Sequence, residues 1–173
     1  MRLAVLGEGP DVELNTDAMR CGLRALDIDA EVTPMDCTVE EFKPCLEHLG
    51  NAGFKGACIC NPFKVEAAKA ATEFFIVKRA MGVANALKLG TYLSAQNTEV
   101  EAFNAKIKDL KPGTALVMGS GRAARSAVMS LFECDWRVKV WNRNVIRSRP
   151  FVVAFETYGK VELASSADPS GCC

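Results

Sequence analysis

The chain has 173 residues, 49% hydrophobic and 24% charged, a balance that supports a packed core and argues against disorder. Its 21 Lys plus Arg match its 21 Asp plus Glu, so the net charge gives no general attraction to nucleic acid or an anionic membrane. Any anion site must be local. No run approaches the roughly 20 apolar residues that span a bilayer. Met1–Gly7 lacks the long apolar region and cleavage site of a secretion signal, and reads as a first buried strand. The 8 cysteines include no C-x-x-C pair, and the single histidine, His48, follows Leu46-Glu47 near a helix end. These residues predict reduced thiols in a cytoplasmic protein, no metal site, and a surface role for His48.

Elements alternate along the chain. Leu3–Leu6 reads as a strand. Asp17–Leu26 has helical spacing, with Asp17 or Thr16 able to cap it. Ala30–Met35 is a strand that Pro34 assigns to an edge. Val39–Leu49 is a helix with Thr38 and Glu41 as a capping box. Ala57–Cys60 is a short buried strand bounded by Asn61-Pro62, and Val65 to about Phe75 is a third helix. Ala84–Leu89 and Thr91–Ala95 form a hairpin around Gly90. Glu99–Leu110 is a helix that runs into Lys111-Pro112-Gly113, a break that predicts the domain boundary. Ala164–Cys173 reads as a frayed tail.

After that break, the apolar run Thr114–Met118 suits a central parallel strand. It leads into Gly119-Ser120-Gly121-Arg122-Ala123-Ala124 and then a helical stretch to Phe132. This is G-x-G-x-x-A with a strand before it and a helix after it, the setting in which it binds a dinucleotide. Gly119 permits the turn, Gly121 lets backbone approach a pyrophosphate, and the helix N-terminus offers N–H groups to the anion. A second strand, Arg137–Trp141, ends in Asn142-Arg143-Asn144. An acid there would bind the ribose hydroxyls of NAD. Arg143 suits the 2′-phosphate of NADP instead, because a guanidinium pairs with phosphate through two parallel hydrogen bonds. Residues 113–173 therefore predict a partial Rossmann domain, a doubly wound parallel sheet, that binds NADP. Arg147 and Arg149 add positive charge nearby.

Several motifs, taken in order, resemble the shikimate dehydrogenase family. They are Gly53–Lys64 with its Asn61-Pro62-Phe63-Lys64 end, Ala80-Met81-Gly82-Val83-Ala84-Asn85, Gln96-Asn97-Thr98-Glu99, and the glycine loop with Trp141–Asn144. The resemblance implies an α/β fold in which residues 1–112 form a substrate-binding and catalytic domain ahead of the NADP-binding one. It implies reversible, NADP-dependent reduction of a cyclic keto acid to a hydroxy acid. Lys64 would shuttle the proton, Glu99 would bind the substrate and pair with the lysine, and Asn85 would hold a substrate hydroxyl. Thr16, Cys58 and Cys60 would line the same pocket.

The departures from the family pattern fall on that pocket. Of the S-x-S pair that binds a substrate carboxylate, Thr16 keeps one hydroxyl and Leu14 loses the other. Cys58 and Cys60 stand where the family offers Asn and Thr, and a thiol is a weak hydrogen-bonding replacement. The family also continues for roughly a hundred further residues (implied by the resemblance), so the predicted sheet is unfinished. Either a second copy covers its edges or the chain is a truncated product. Two alternatives stay open: an inactive or truncated NADP-binding homologue, and a methylene-folate or pterin dehydrogenase relative. Pro62-Phe63-Lys64 and Asn97-Thr98-Glu99 fit the shikimate group better.

Overall fold

Side-chain alternation sets up the first sheet. In β1 (Arg2–Gly7), Ala4 and Leu6 face one side and Val5 the other, all fully buried in the computed structural model. The structure describes residues 1–74, 81–168 and 170. β2 (Glu31–Asp36) pairs parallel to β1 at the sheet edge, where Pro34 costs no ladder hydrogen bond. β3 (Gly56–Ile59) lies on the other side of β1, also parallel. β5 (Ala86–Lys88) and β6 (Ser94–Gln96) form the predicted hairpin, and β4 (Glu73–Phe74) closes the order β2-β1-β3-β5-β6-β4.

Three helices cover this sheet. On one face, Phe42, Leu46 and Leu49 of α2 (Phe42–Asn51) and Ala67 of α3 (Lys64–Ala70) pack with Leu6, Ala57 and Ile59. On the other, Val12, Met19 and Leu23 of α1 (Asp11–Ala25) pack with Val5, Val32, Cys58 and Cys60.

The bounds of α1, α2 and α3 differ from the sequence reading, as do those of the predicted Glu99–Leu110 helix, which spans Thr98–Ile107. α1 starts at Asp11, not Asp17, because Pro10 already has helical φ and ψ of −66° and −19°. Asp11 and Glu13 suit the positive end of its dipole. Thr16 is therefore no cap: it is fully buried mid-helix, and its hydroxyl donates to the Val12 carbonyl at 2.8 Å. At α2, only half of the predicted capping box forms, with the Thr38 N–H donating to Glu41 Oε2 at 2.9 Å. That bond holds the Glu41 carboxyl below its ordinary range, and the helix proper begins one residue later. α3 stops at Ala70 because Thr72 is tied to the next hairpin. Its N–H donates to the Leu93 carbonyl at 2.9 Å, and its Oγ1 accepts from the Leu93 N–H at 3.1 Å. Phe75, the predicted helix end, and Ala80 of the glycine-valine motif lie outside the described residues.

The second unit contains α4 (Thr98–Ile107), β7 (Thr114–Met118), α5 (Arg122–Glu133), β8 (Arg137–Trp141), α6 (Val145–Phe155) and β9 (Val161–Leu163). β7, β8 and β9 are parallel in that order, and β7 and β8 have the predicted bounds. The division between units falls at Asn97/Thr98 rather than at Lys111-Pro112-Gly113. The reason is that α4 packs on α5: Asn104 Oδ1 accepts from Ser130 Oγ at 2.6 Å, and its Nδ2 donates to Glu133 Oε2 at 2.9 Å. The Pro-Gly break is thus a link within the second unit, between α4 and β7. The predicted tail is anchored at its start, where the Ala164 N–H donates to the Val140 carbonyl at 2.9 Å; residues 169 and 171–173 lie outside the described ones. Among the described residues, no helix is long and apolar enough to cross a membrane, and no group of three or more His, Cys, Asp and Glu could hold a metal ion.

Candidate active site and nucleotide loop

In the first unit, the end of β3 gathers four of the predicted site residues. Cys58 pairs across to Ala86, the Ile59 N–H donates to the Asn85 carbonyl at 2.8 Å, and the Ala84 N–H donates to the Lys64 carbonyl at 2.8 Å. The backbones of β3, Lys64 and Ala84-Asn85 are therefore tied to one another. Lys64 opens α3 directly behind Phe63, which is fully buried and stacked on Phe42 at 4.7 Å between ring centroids. A buried aromatic anchor of this kind fixes the backbone from which a half-exposed lysine extends. The lysine's charge reaches the Cys58 and Cys60 thiols, so the three side chains form one electrostatic cluster.

Thr16, expected to line the substrate pocket in a stretch where Leu14 lacks the family's second hydroxyl, has no solvent-facing surface to offer. Helix α1 turns Leu14 to solvent at 70% exposure and buries Thr16 completely. A cavity of about 650 Å³ on the α2–α3 side, lined by Phe42, Leu46, Glu66, Lys69, Leu89 and Leu93 among others, contains none of the predicted site residues.

Glu99 belongs to the second unit. It is half-buried in the first turn of α4, and its Oε2 accepts from Ser126 Oγ at 2.9 Å. Ser126 is fully buried in α5. The sequence reading missed it, because nothing in a helical Arg-Ser-Ala context ties a serine to a glutamate 27 residues earlier.

The glycine loop has the geometry its motif demands. Gly119 has φ of +111°, a conformation that L side chains rarely adopt, and its N–H donates to the Trp141 carbonyl at 2.7 Å. Gly121 is the N-cap of α5, with no side chain capping the first turn, which runs from Arg122 through Ala123. A Cβ placed on Gly119 or Gly121 would meet no heavy atom within 4 Å. The space over the loop is open, and backbone N–H groups at a helix start are suited to phosphate oxygens. Asn142 joins the loop to β8: its Nδ2 donates to Ser120 Oγ at 2.6 Å, and its Oδ1 accepts from the Asn144 N–H at 2.9 Å. Asn144 in turn caps α6, accepting from the Ile146 and Arg147 N–H groups. With both asparagines engaged in the fold, exposed Arg143 is the cation presented at that strand end, and Arg147 and Arg149 are exposed on α6. An open glycine cradle, an uncapped helix start and an arginine after β8 together fit a dinucleotide with a 2′-phosphate.

No protein-family model matches the chain. It is 38% identical over 117 residues to a shikimate dehydrogenase (NADP(+)) of Nitrobacter winogradskyi, a match covering 64% of this chain and 42% of that protein. It is 33% identical over 144 residues to the corresponding enzyme of Bartonella henselae, covering 80% and 48%. Its fold matches the crystal structure of shikimate 5-dehydrogenase from Thermus thermophilus in complex with NADP(H) and shikimate. The TM-score is 0.80 at 24% identity, over 94% of this chain and 62% of that one. Spanning about half the length of the curated relatives it matches, the chain is similar in sequence and in fold to shikimate dehydrogenases.

Proposed function

We propose that this chain supplies the substrate-binding and NADP-binding parts of an oxidoreductase that interconverts a cyclic hydroxy acid and its keto acid. The observation that carries the reading is the glycine loop, open above an uncapped helix and braced by Asn142 against the strand that presents Arg143. In this reading, residues Gly119, Ser120, Gly121, Arg122 and Ala123 cradle the pyrophosphate, and Arg143 pairs with the 2′-phosphate. NADP supplies the hydride acceptor or donor when bound. Lys64 handles the proton: as an amine it takes the proton of the substrate hydroxyl during oxidation, and as an ammonium it returns it to the developing alkoxide during reduction. Asn85 holds a second substrate hydroxyl. Glu99, fixed by Ser126, accepts a hydrogen bond from the substrate. A cytoplasmic location and a second copy over the free edge of β7 belong to the same reading.

The thiols at Cys58 and Cys60 narrow the substrate class. A pocket that offers the half-buried Cys58 sulfur in place of an amide, with the Cys60 thiol buried beneath α1 in place of a hydroxyl, gives up hydrogen bonds to ring hydroxyls and discriminates against a polyhydroxylated ring. The expected substrate is a cyclic hydroxy acid with fewer ring hydroxyls than shikimate. The test is NADPH formation by the purified chain with NADP+ and either shikimate or a series of hydroxycyclohexane carboxylates. Faster turnover of the less hydroxylated acids is expected. Faster turnover of shikimate would remove the two cysteines from the pocket.

A further inference from the structure

Arg125 stands in the first turn of α5, where its backbone N–H donates to the Gly121 carbonyl at 3.3 Å and closes that turn behind the glycine loop. Its side chain runs elsewhere. The guanidinium lies 5.7 Å from the centroid of the buried Phe151 ring on α6, and its Nη1 donates to the Met81 carbonyl at 3.1 Å. Burial draws the guanidinium below its ordinary range, so this half-buried cation has given up water for its contacts. A carbonyl acceptor and an aromatic face offset that loss.

Met81 is the last residue of the second unit before the chain enters the first at Gly82. The backbone turns there, with φ of +54° at Gly82, and Met81, Val83 and Ala84 are each 1% exposed. Beyond the turn the segment is held residue by residue. The Val83 carbonyl accepts from Asn97 Nδ2 at 3.5 Å, the Ala84 N–H donates to the Lys64 carbonyl at 2.8 Å, and the Asn85 N–H donates to the Gln96 carbonyl at 3.1 Å. Ahead of the turn, Arg125 holds the Met81 carbonyl. The next residue of α5, Ser126, holds Glu99 just after the chain returns to the second unit.

We propose that Arg125 is a positioning residue for the substrate site: by holding the Met81 carbonyl, it fixes the start of the segment that ends in Asn85. This rests on the reading above in which Asn85 holds a substrate hydroxyl. Arg125 itself touches neither substrate nor cofactor. Its backbone bond to Gly121 survives any substitution other than proline, so the nucleotide loop keeps its geometry. Loss of the guanidinium frees Met81, and Asn85 then meets the substrate from a less fixed position.

Arg125→Met removes the donors but keeps an unbranched chain beside Phe151, and Arg125→Lys keeps a charged donor. With NADP+ and the less hydroxylated acids, Arg125→Met is expected to raise KM for the acid roughly tenfold. That is the low end of what a hydrogen bond to a charged group contributes, since Arg125 acts at one remove. A nearly unchanged kcat is expected, because Asn85 holds a hydroxyl that does not react, and NADP+ affinity should not move. Arg125→Lys should recover most of the loss. Amide hydrogen exchange followed by NMR gives a second readout that needs no turnover. In Arg125→Met, the Ala84 and Asn85 amides should exchange roughly tenfold faster, and those of β7 and β8 at the rate of the unmodified chain. Unchanged exchange at Ala84 and Asn85, acceleration spread evenly over both units, or an unchanged KM in an active variant would each overturn the proposal. An unmodified chain that binds NADP+ but turns over no acid would overturn the reading of Asn85 instead. The exchange rates would then decide by themselves whether Arg125 holds the segment.

Discussion

Replacing Lys64 with Ala should lower kcat for the proposed hydroxy-acid oxidation by roughly 10²–10⁴-fold, the usual contribution of a positioned acid–base group. The size of the effect follows from what holds the lysine. Phe63 is locked into the core against Phe42, and the Ala84 N–H fixes the Lys64 carbonyl, so the side chain starts from a rigid point at the end of β3. Rigid placement lets a proton donor act in the transition state without reorganisation. The change leaves the fold intact, because the side chain is half-exposed and Phe63 remains. NADP+ affinity should be unchanged, since the glycine loop lies in the other unit. The check is steady-state kinetics on both proteins, with cofactor binding measured separately. Equal turnover by the variant would take Lys64 out of the mechanism.

The second large effect concerns the cofactor. Arg143→Ala should weaken NADP+ binding by about 1.5–3 kcal/mol, the range for a hydrogen bond to a charged group, and leave NAD+ almost unaffected. That is roughly a 10- to 150-fold rise in Kd for one cofactor alone. The selectivity is argued from geometry. Asn142 is committed to Ser120 and Asn144 caps α6, so Arg143 is the residue of the three that can answer a phosphate added to the ribose. A loss shared equally by NADP+ and NAD+ would place Arg143 on the pyrophosphate, or nowhere in the site.

How much of this was legible in the sequence varied with the range of the interactions. β7 and β8 have the predicted bounds because each is a short apolar or alternating run closed by strong punctuation, Gly113 and Gly119 for one and Asn142 for the other. The edge position of β2 followed from Pro34 alone. The start of α1 was not legible, since Asp11-Val12-Glu13-Leu14-Asn15 looks like a polar loop until Val12 and Thr16 are seen to share a buried stripe. The same error misplaced the pocket role of Thr16. The end of α3 depended on the bonding of Thr72 to Leu93, and the Glu99–Ser126 contact on the packing of α4 against α5; neither leaves a local pattern. The unit boundary moved for the same reason: a Pro-Gly break marks a chain reversal, but the partner of the preceding helix is set by Asn104 and its bonds to α5. At Cys58 and Cys60 the shared face was readable from the two-residue spacing.

The most direct test of the central claim is a calorimetric titration of the unmodified, folded chain with NADP+ and, separately, NAD+. The account predicts saturable one-to-one binding of NADP+ that is tighter than that of NAD+, because the loop, the helix start and Arg143 lie together in a unit whose β7-β8-β9 sheet is already formed. Absence of binding by both cofactors, from a chain shown by circular dichroism to be folded, would contradict it.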